Sequence, residues 1–225
     1  MNRTETEKKQ PLIVLSGPTG VGKTDLSILL ARAAGGEIVS ADSMQVYRGL
    51  DIGSAKIRKE EMKGIPHHLI DVLDPEESFD VVRFSAMAEE ACSLIRKRGH
   101  VPILTGGTGF YIQAVVRGID FTDCSENPAL REEWAKLAEE QGPEVLHAML
   151  KERDPEAAEA IHPHNVRRTI RALEFYEMTS ARISEHNSRE QQRSSPYALA
   201  WFVLTDDRKR LYDRINARVD KMLEA

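Results

Sequence analysis

The chain has 225 residues, 41% hydrophobic and 30% charged, and 31 basic against 36 acidic side chains give a net charge of −5 with histidine neutral. At about 150 residues per domain this length suits one α/β domain with a sizeable insertion, and the composition excludes collagen-like, low-complexity and wholly disordered classes. No apolar run approaches the roughly 18 residues of a membrane span, and the polar opening lacks the apolar core of an export signal. A frayed tail over 1–10 and a cytoplasmic location are therefore expected. Cys92 and Cys124 lack CxxC or CxxH spacing and read as buried or incidental thiols. The negative charge argues against binding nucleic acid over the whole surface, but it leaves room for a local basic groove.

Residues 12–16 (LIVLS) are continuously apolar and closed by Gly17-Pro18, the pattern of a strand buried on both faces. A helix is predicted over 24–34, with Leu26, Leu29, Leu30 and Ala33 as its apolar face and Gly35-Gly36 as its stop. Further strands are predicted at 37–40, 68–72, 101–105 and 198–205, separated by helical stretches such as 84–98. Strand and helix in alternation predict a parallel sheet with right-handed crossovers. From 127 to 195 the strand signal vanishes. There Asn127-Pro128, Gly142-Pro143, Asp154-Pro155 and Asn165 read as caps and first-turn prolines of about four helices, with 186–196 a polar linker. Residues 207–225 carry Leu211, Ile215, Val219, Met222 and Leu223 on one helical face, expected to be core, and show no stop signal, so the chain is expected to be cut in or after a helix. The predicted organisation is a tail (1–10), a P-loop core (11–126), a helical insertion (127–195) and a return to the core (196–225).

Gly17-Pro18-Thr19-Gly20-Val21-Gly22-Lys23-Thr24 fits GxxxxGK[ST] between a buried strand and a helix. In that context backbone N–H groups wrap a diphosphate, Lys23 reaches its oxygens and Thr24 offers its hydroxyl to Mg²⁺. P-loop kinases end a later strand in a magnesium-ordering Asp, whereas here 101–105 runs into Gly106-Gly107-Thr108-Gly109. The acid nearest a strand end is Asp42. Ligands of an open parallel sheet bind outside the carboxyl ends of the strands, so Asp42, Thr108 and the P-loop should converge on one crevice. That set suits a reaction in which diphosphate leaves while a nucleophile loses a proton; for Asp42 alone, a turn-capping role is the competing reading. The pairs His67-His68 and His162/His164 lack a companion ligand set and read as packing residues.

The segments GPTGVGKT (17–24), ADSMQVYRGLDIGSAK (41–56), PHHLIDVLDP (66–75), GGTGFYIQAV (106–115), DPEAAEAIHPHNVRRTIRALE (154–174) and RLYDRINARVDKML (210–223) together resemble the tRNA dimethylallyltransferases. The resemblance implies transfer of a dimethylallyl group from dimethylallyl diphosphate to N6 of adenosine 37 beside the anticodon. It implies that the P-loop holds the departing diphosphate, that Asp42 accepts the N6 proton, and that Thr108 bonds a diphosphate oxygen. Asp42, Ser43, Met44 and Gln45 correspond to a tRNA-contacting turn; Thr108, Arg131 and the segment Arg167, Arg168, Thr169, Ile170, Arg171 match further tRNA contacts. Arg214 and Arg218, one turn apart, are expected to close over the diphosphate. For the arginines the competing reading is a solvated face paired with Glu174 and Glu177. Mg²⁺ is the expected cofactor, the anticodon stem-loop and dimethylallyl diphosphate the expected partners, and a monomer the expected state. The rivals are a P-loop nucleoside or metabolite kinase, an adenine-nucleotide isopentenyltransferase, and a non-catalytic RNA-binding module that would leave Asp42 and Thr108 without a role.

Overall fold

Apolar continuity decides the centre of the sheet. In the computed structural model, which describes residues 9–119 and 127–224, Leu12, Val14 and Leu15 of β1 (Gln10–Ser16) are at most 1% exposed, as a strand covered on both faces requires. With β2 (Gly36–Ser40), β3 (His67–His68), β4 (Val101–Gly106) and β5 (Tyr197–Val203) it forms a parallel sheet in the order β3-β2-β4-β1-β5. Alternation along the strands splits the core in two. Ile38 and Ile103 pack with Ile28 and Ala31 of α1 (Lys23–Ala34). Val39 and Leu104 pack on the other face with Phe84 and Ile95 of α2 (Val81–Lys97) and Ile112 and Val115 of α3 (Gly109–Arg117).

The chain divides into two compact units, Met1–Gly118 with Ser195–Ala225, and Ile119–Ser194. The second is all helical in its described residues: α4 (Pro128–Gln141), α5 (Pro143–Arg153), α6 (Pro155–Ala160), α7 (Val166–Thr179) and α8 (Ile183–Gln192) close over Trp134, Leu146, Leu150 and Leu173. Asn127, Asp154 and Asn165 each cap a helix by accepting a bond from the backbone N–H three residues on. The last helix of the chain, α9 (Arg208–Leu223), returns to the first unit. No helix among the described residues is long and apolar enough to cross a membrane.

Four local expectations are corrected. The buried face of α1 is Ser27, Ile28 and Ala31, while Leu29 is 60% exposed. The turn at Gly22 (φ 94°) orients the helix, and Ser27, its hydroxyl satisfied by the Thr24 carbonyl, permits close approach to the sheet. The strand expected over 68–72 shrinks to His67–His68, because Leu69 (φ 62°) and Asp71 (φ 55°) take left-handed backbone that no strand accommodates. Residues expected as linker from 186 onward continue α8 to Gln192. The apolar stripe of α9 buries no residue: β5 is an edge strand, and α9 runs over the P-loop rather than over a sheet face, with Ile215 3.3 Å from where a Cβ on Gly20 would stand. Cys92 is buried, which pushes its thiol up to about 11; Cys124 lies outside the described residues.

Inside the helical unit Asp154 is 1% exposed and accepts from the Ser184 hydroxyl and N–H and from the Ala157 N–H. Burial raises its pKa, but those bonds and the charge of Arg182 outweigh it and hold the carboxyl below the ordinary range. Its contribution to stability is thus complete above the ordinary Asp range near pH 4 and fades as pH falls through the depressed value. Asp154→Ala should cost about 3 kcal/mol, because two buried N–H groups lose their acceptor. Thermal melts from pH 7 to pH 2 should show the gap between parent and variant narrowing only below about pH 4.

Candidate active site

The P-loop is built by close contacts that only glycine allows. Gly17 (φ 152°) would place a Cβ 2.6 Å from the Leu204 carbonyl oxygen, so the loop lies directly against the segment after β5. Lys23, the first residue of α1, donates from Nζ to the Gly17 and Pro18 carbonyls, each at 2.9 Å. Burial lowers its pKa, the Asp42 charge raises it and the Arg218 charge lowers it again, leaving it below an ordinary lysine. Lys23 thus feels the charges of both Asp42 and Arg218.

Asp42 reaches this position through the backbone. The Ala41 N–H donates to the Thr105 carbonyl at 2.7 Å, extending β2 beside β4, and a Cβ on Gly106 would stand 2.2 Å from the Ala41 oxygen. The Asp42 carboxylate then accepts through Oδ1 from Met44 N–H (2.9 Å) and Gln45 N–H (3.3 Å). Oδ1 is therefore the turn cap, and Oδ2 stays available to chemistry. The turn-capping reading of this residue is thus met by Oδ1.

A cavity of about 580 Å³ lies at the carboxyl ends of the strands, lined by Thr19, Gly20, Gly22, Lys23 and Thr24 on one side and by Asp42, Met44 and Gln45 on the other. Arg218 lines it too, donating to the Ser54 and Ala55 carbonyls at 3.4 Å each. Arg214 does not line it; its guanidinium is held by Asp206 (3.0 Å) and the Gly20 carbonyl (3.3 Å). Gly17, Pro18, Val21, Ser43 and Thr108 are not among the residues lining it; Thr108 sits beside the Asp42 turn instead, its N–H 3.4 Å from the Ala41 oxygen and its hydroxyl making no helix-cap bond. The Gln45 amide nitrogen donates to the Ser54 and Ala55 carbonyls at 3.3 Å, so it braces that turn and only its oxygen is left for a base edge. Tyr111 is stacked on Phe84 in the core, whereas Phe110 is exposed.

Sequence reading missed Ser40 and Thr105. Both line the cavity, they are cross-strand partners, and each lies two residues beyond an isoleucine of the α1-facing cluster. Alternation from Ile38 and Ile103 would have found them. Thr105 Oγ1 is buried with no protein partner. β4 is the strand beside β1, where a kinase would carry its magnesium-ordering acid, and here it ends in Thr105-Gly106. Among the described residues no three His, Cys, Asp or Glu side chains group as metal ligands.

The expected RNA contacts of the helical unit divide. Arg167, Arg168 and Arg171 are exposed on α7, but Thr169 (0%) and Ile170 (8%) are buried, so their side chains pack the unit and present nothing to a partner. Arg131 is committed as well: it grips the buried Glu174 with Nε at 2.8 Å and Nη2 at 2.7 Å, and Glu174 also accepts from the Asn127 N–H. This forked pair ties α4 to α7.

A family model described as IPP transferase matches residues 45–225, and one described as isopentenyl transferase matches 10–77. The tRNA dimethylallyltransferase of Lachnoclostridium phytofermentans is 55% identical over 96% of this chain and 69% of its own length. The chain belongs to the tRNA dimethylallyltransferase family. The Bacillus subtilis tRNA dimethylallyltransferase is 48% identical over all of this chain and 70% of its own. Among solved structures, the tRNA isopentenylpyrophosphate transferase of Bacillus halodurans is 47% identical with TM-score 0.65, covering 96% of this chain and 67% of that one. A eukaryotic dimethylallyltransferase acting on tRNA is 34% identical with TM-score 0.83, covering 96% and 53%.

If Arg131 serves the family fold through Glu174, Arg131→Met should lower stability by about 3 kcal/mol, the cost of stranding a buried carboxylate. The double variant Arg131→Met/Glu174→Leu should recover most of it in chemical denaturation. A stable single variant with weakened RNA binding would make Arg131 a contact instead.

Proposed function

We propose that this protein transfers a dimethylallyl group from dimethylallyl diphosphate to N6 of adenosine 37 in the anticodon stem-loop of tRNA. The observation that carries the reading is that P-loop residues and Asp42, one of whose carboxylate oxygens is not used by the turn cap, line one cavity. The allylic carbon–oxygen bond breaks and a carbon–N6 bond forms. The N6 proton passes to Asp42 Oδ2, and the diphosphate leaves with the bonding electrons. The exocyclic amine is a weak nucleophile because its lone pair is delocalised into the ring, so proton acceptance must accompany attack. Charge developing on the leaving group would be met by P-loop N–H groups, and by Lys23 and Arg218 once they exchange their backbone carbonyl partners for diphosphate oxygens. Thr108, beside the Asp42 turn, has a hydroxyl suited to a diphosphate oxygen.

The residues also fit a magnesium ion. Thr24 offers its hydroxyl on the cavity wall, and the unpartnered Thr105 Oγ1 in the same cavity suits a bond to an ion-bound water. Bound there, Mg²⁺ would neutralise part of the diphosphate charge. For the stem-loop, Arg167 and Arg168 are exposed cations of the helical unit, in the segment that the family resemblance assigns to tRNA contact.

Asp42→Asn keeps size and the turn cap but removes the basic oxygen. Single-turnover transfer of labelled prenyl to an unmodified stem-loop should slow by about 10² to 10⁴ with substrate binding retained. Unchanged kcat with weakened tRNA binding would make Asp42 a recognition residue, and transfer that requires ATP would favour the kinase-like rival. Arg167→Ala/Arg168→Ala should weaken stem-loop binding and reduce the slope of log K against log[salt] by up to about one per lost phosphate contact, with donor affinity unmoved. An unchanged slope would assign these arginines to a solvated face.

A further inference from the structure

Two groups of the candidate site hang on one turn. The Gln45 side-chain amide donates through Nε2 to the Ser54 and Ala55 carbonyls at 3.3 Å each, and Arg218 donates through Nη2 to the same two oxygens at 3.4 Å. The Arg218 bonds are the ones given up when a diphosphate arrives. Gln45 keeps its own, because its amide oxygen, not its nitrogen, is the group left for a base edge. Where the Ser54–Ala55 turn stands therefore sets where the Gln45 oxygen points.

That turn does not hold itself. Ala55 takes left-handed backbone (φ 45°), which a residue with a Cβ adopts only when its surroundings impose it. Within the turn, the Ala55 and Lys56 N–H groups donate to the Ile52 and Asp51 carbonyls at 2.9 and 3.0 Å, and the Ser54 hydroxyl donates to the Leu50 carbonyl. Lys56 ties this turn to its flanks. Its side chain is 4% exposed, and its ammonium bonds the Asp51 carboxylate inside the turn and the Tyr47 carbonyl and Asp71 carboxylate outside it. Burial lowers its pKa, but the two carboxylates more than offset that and keep it charged. Asp71 closes the ring, since its N–H donates to the Gln45 carbonyl at 3.1 Å. Gln45 is thus held at its side chain by the two residues before Lys56, and at its backbone by a residue that Lys56 grips. Lys56 itself is not among the residues lining the reaction cavity.

Resting on the reaction proposed above, we propose that Lys56 is a positioning residue for the acceptor base: through the Ser54–Ala55 turn and Asp71 it aims the Gln45 amide oxygen at the exocyclic amine of the adenine. That amine carries two N–H bonds. One proton passes to Asp42, and the N–H that the product keeps donates to the Gln45 oxygen. Inosine, with a carbonyl oxygen in place of the amine, would set acceptor against acceptor. The role is separable from folding, because Asp51 and Asp71 are 66% and 51% exposed and water can take over the ammonium's bonds to them.

The test uses the full chain and an unmodified anticodon stem-loop in a double-mutant cycle of Lys56→Met with Gln45→Ala. Lys56→Met should lower kcat/KM for the stem-loop by about tenfold to a hundredfold, the scale of a small misplacement of an orienting group, with circular dichroism like the parent's. In the Gln45→Ala background the same substitution should cost about twofold or less, since the group it positions is gone. Binding supplies a second readout. The parent's preference for adenosine over inosine at position 37, read as a ratio of Kd values, should fall about fivefold or more in Lys56→Met, the low end of what a base-edge contact discriminates. A cost that is the same within about twofold in both backgrounds overturns the proposal, as does an absent or undiminished preference for adenosine. Were Lys56→Met to lose its fold, Asp71→Asn, a change that left-handed backbone tolerates, is put through the same cycle. A parent that transfers no dimethylallyl group fails the reaction itself, whereas an active parent with additive costs fails only the role given to Lys56.

Discussion

The contact on which the site depends is the approach of Ala41 to Gly106. Two parallel strands run side by side past their last regular pair because the Ala41 N–H still finds the Thr105 carbonyl, and because Gly106 has no side chain to push Ala41 away. That contact delivers Asp42 to the carboxyl end of the sheet, where β1 delivers the P-loop. Neither the carboxylate nor the cradle is unusual alone. Their convergence follows from the strand order, which sets β4 between β2 and β1.

Around that contact the irregular segment from 41 to 73 is held by polar groups rather than by a core of its own. Gln45 and Arg218 both donate to the Ser54 and Ala55 carbonyls, one from the Asp42 turn and one from α9. Lys56 gathers two acids and a carbonyl beneath the same loop. At the opposite ends of the strands Glu37, 1% exposed, is bonded by His68, Arg98 and His100. A buried charge is costly unless paired: Lys56 is paired within its own segment, and Glu37 with groups from distant parts of the chain. Such pairing fixes geometry more than it adds stability, which suits loops that must present reactive groups in one arrangement.

The helical unit uses the same device for another purpose. Asp154 joins α6 to α8 and Glu174 joins α4 to α7, so its two most buried acids are internal ties. Two of its carboxylates are thereby spent inside. What remains outward on α7 is the arginine run with Thr169 and Ile170 turned in, as helical periodicity demands of adjacent residues.

Local chemistry was legible wherever it depends on neighbours in sequence. The apolar run of β1, the glycine stop of α1, the Asn and Asp caps with their prolines, and the phosphate loop each act within one or two turns of chain, so sequence alone determined them. Sequence equally determined the family, because several long segments had to match together. The tertiary structure decided what depends on who is across the way. It chose Ile28 over Leu29 as the buried face of α1, cut the strand after His68 through left-handed backbone at Leu69 and Asp71, and left the stripe of α9 uncovered. It gave Arg131 to Glu174, turned one oxygen of Asp42 to the backbone of its own turn, and set Thr105 and Ser40 on the cavity wall. Periodicity tells which residues share a face; only packing tells what that face meets, since the partner comes from dozens of residues away and leaves no mark on the local pattern.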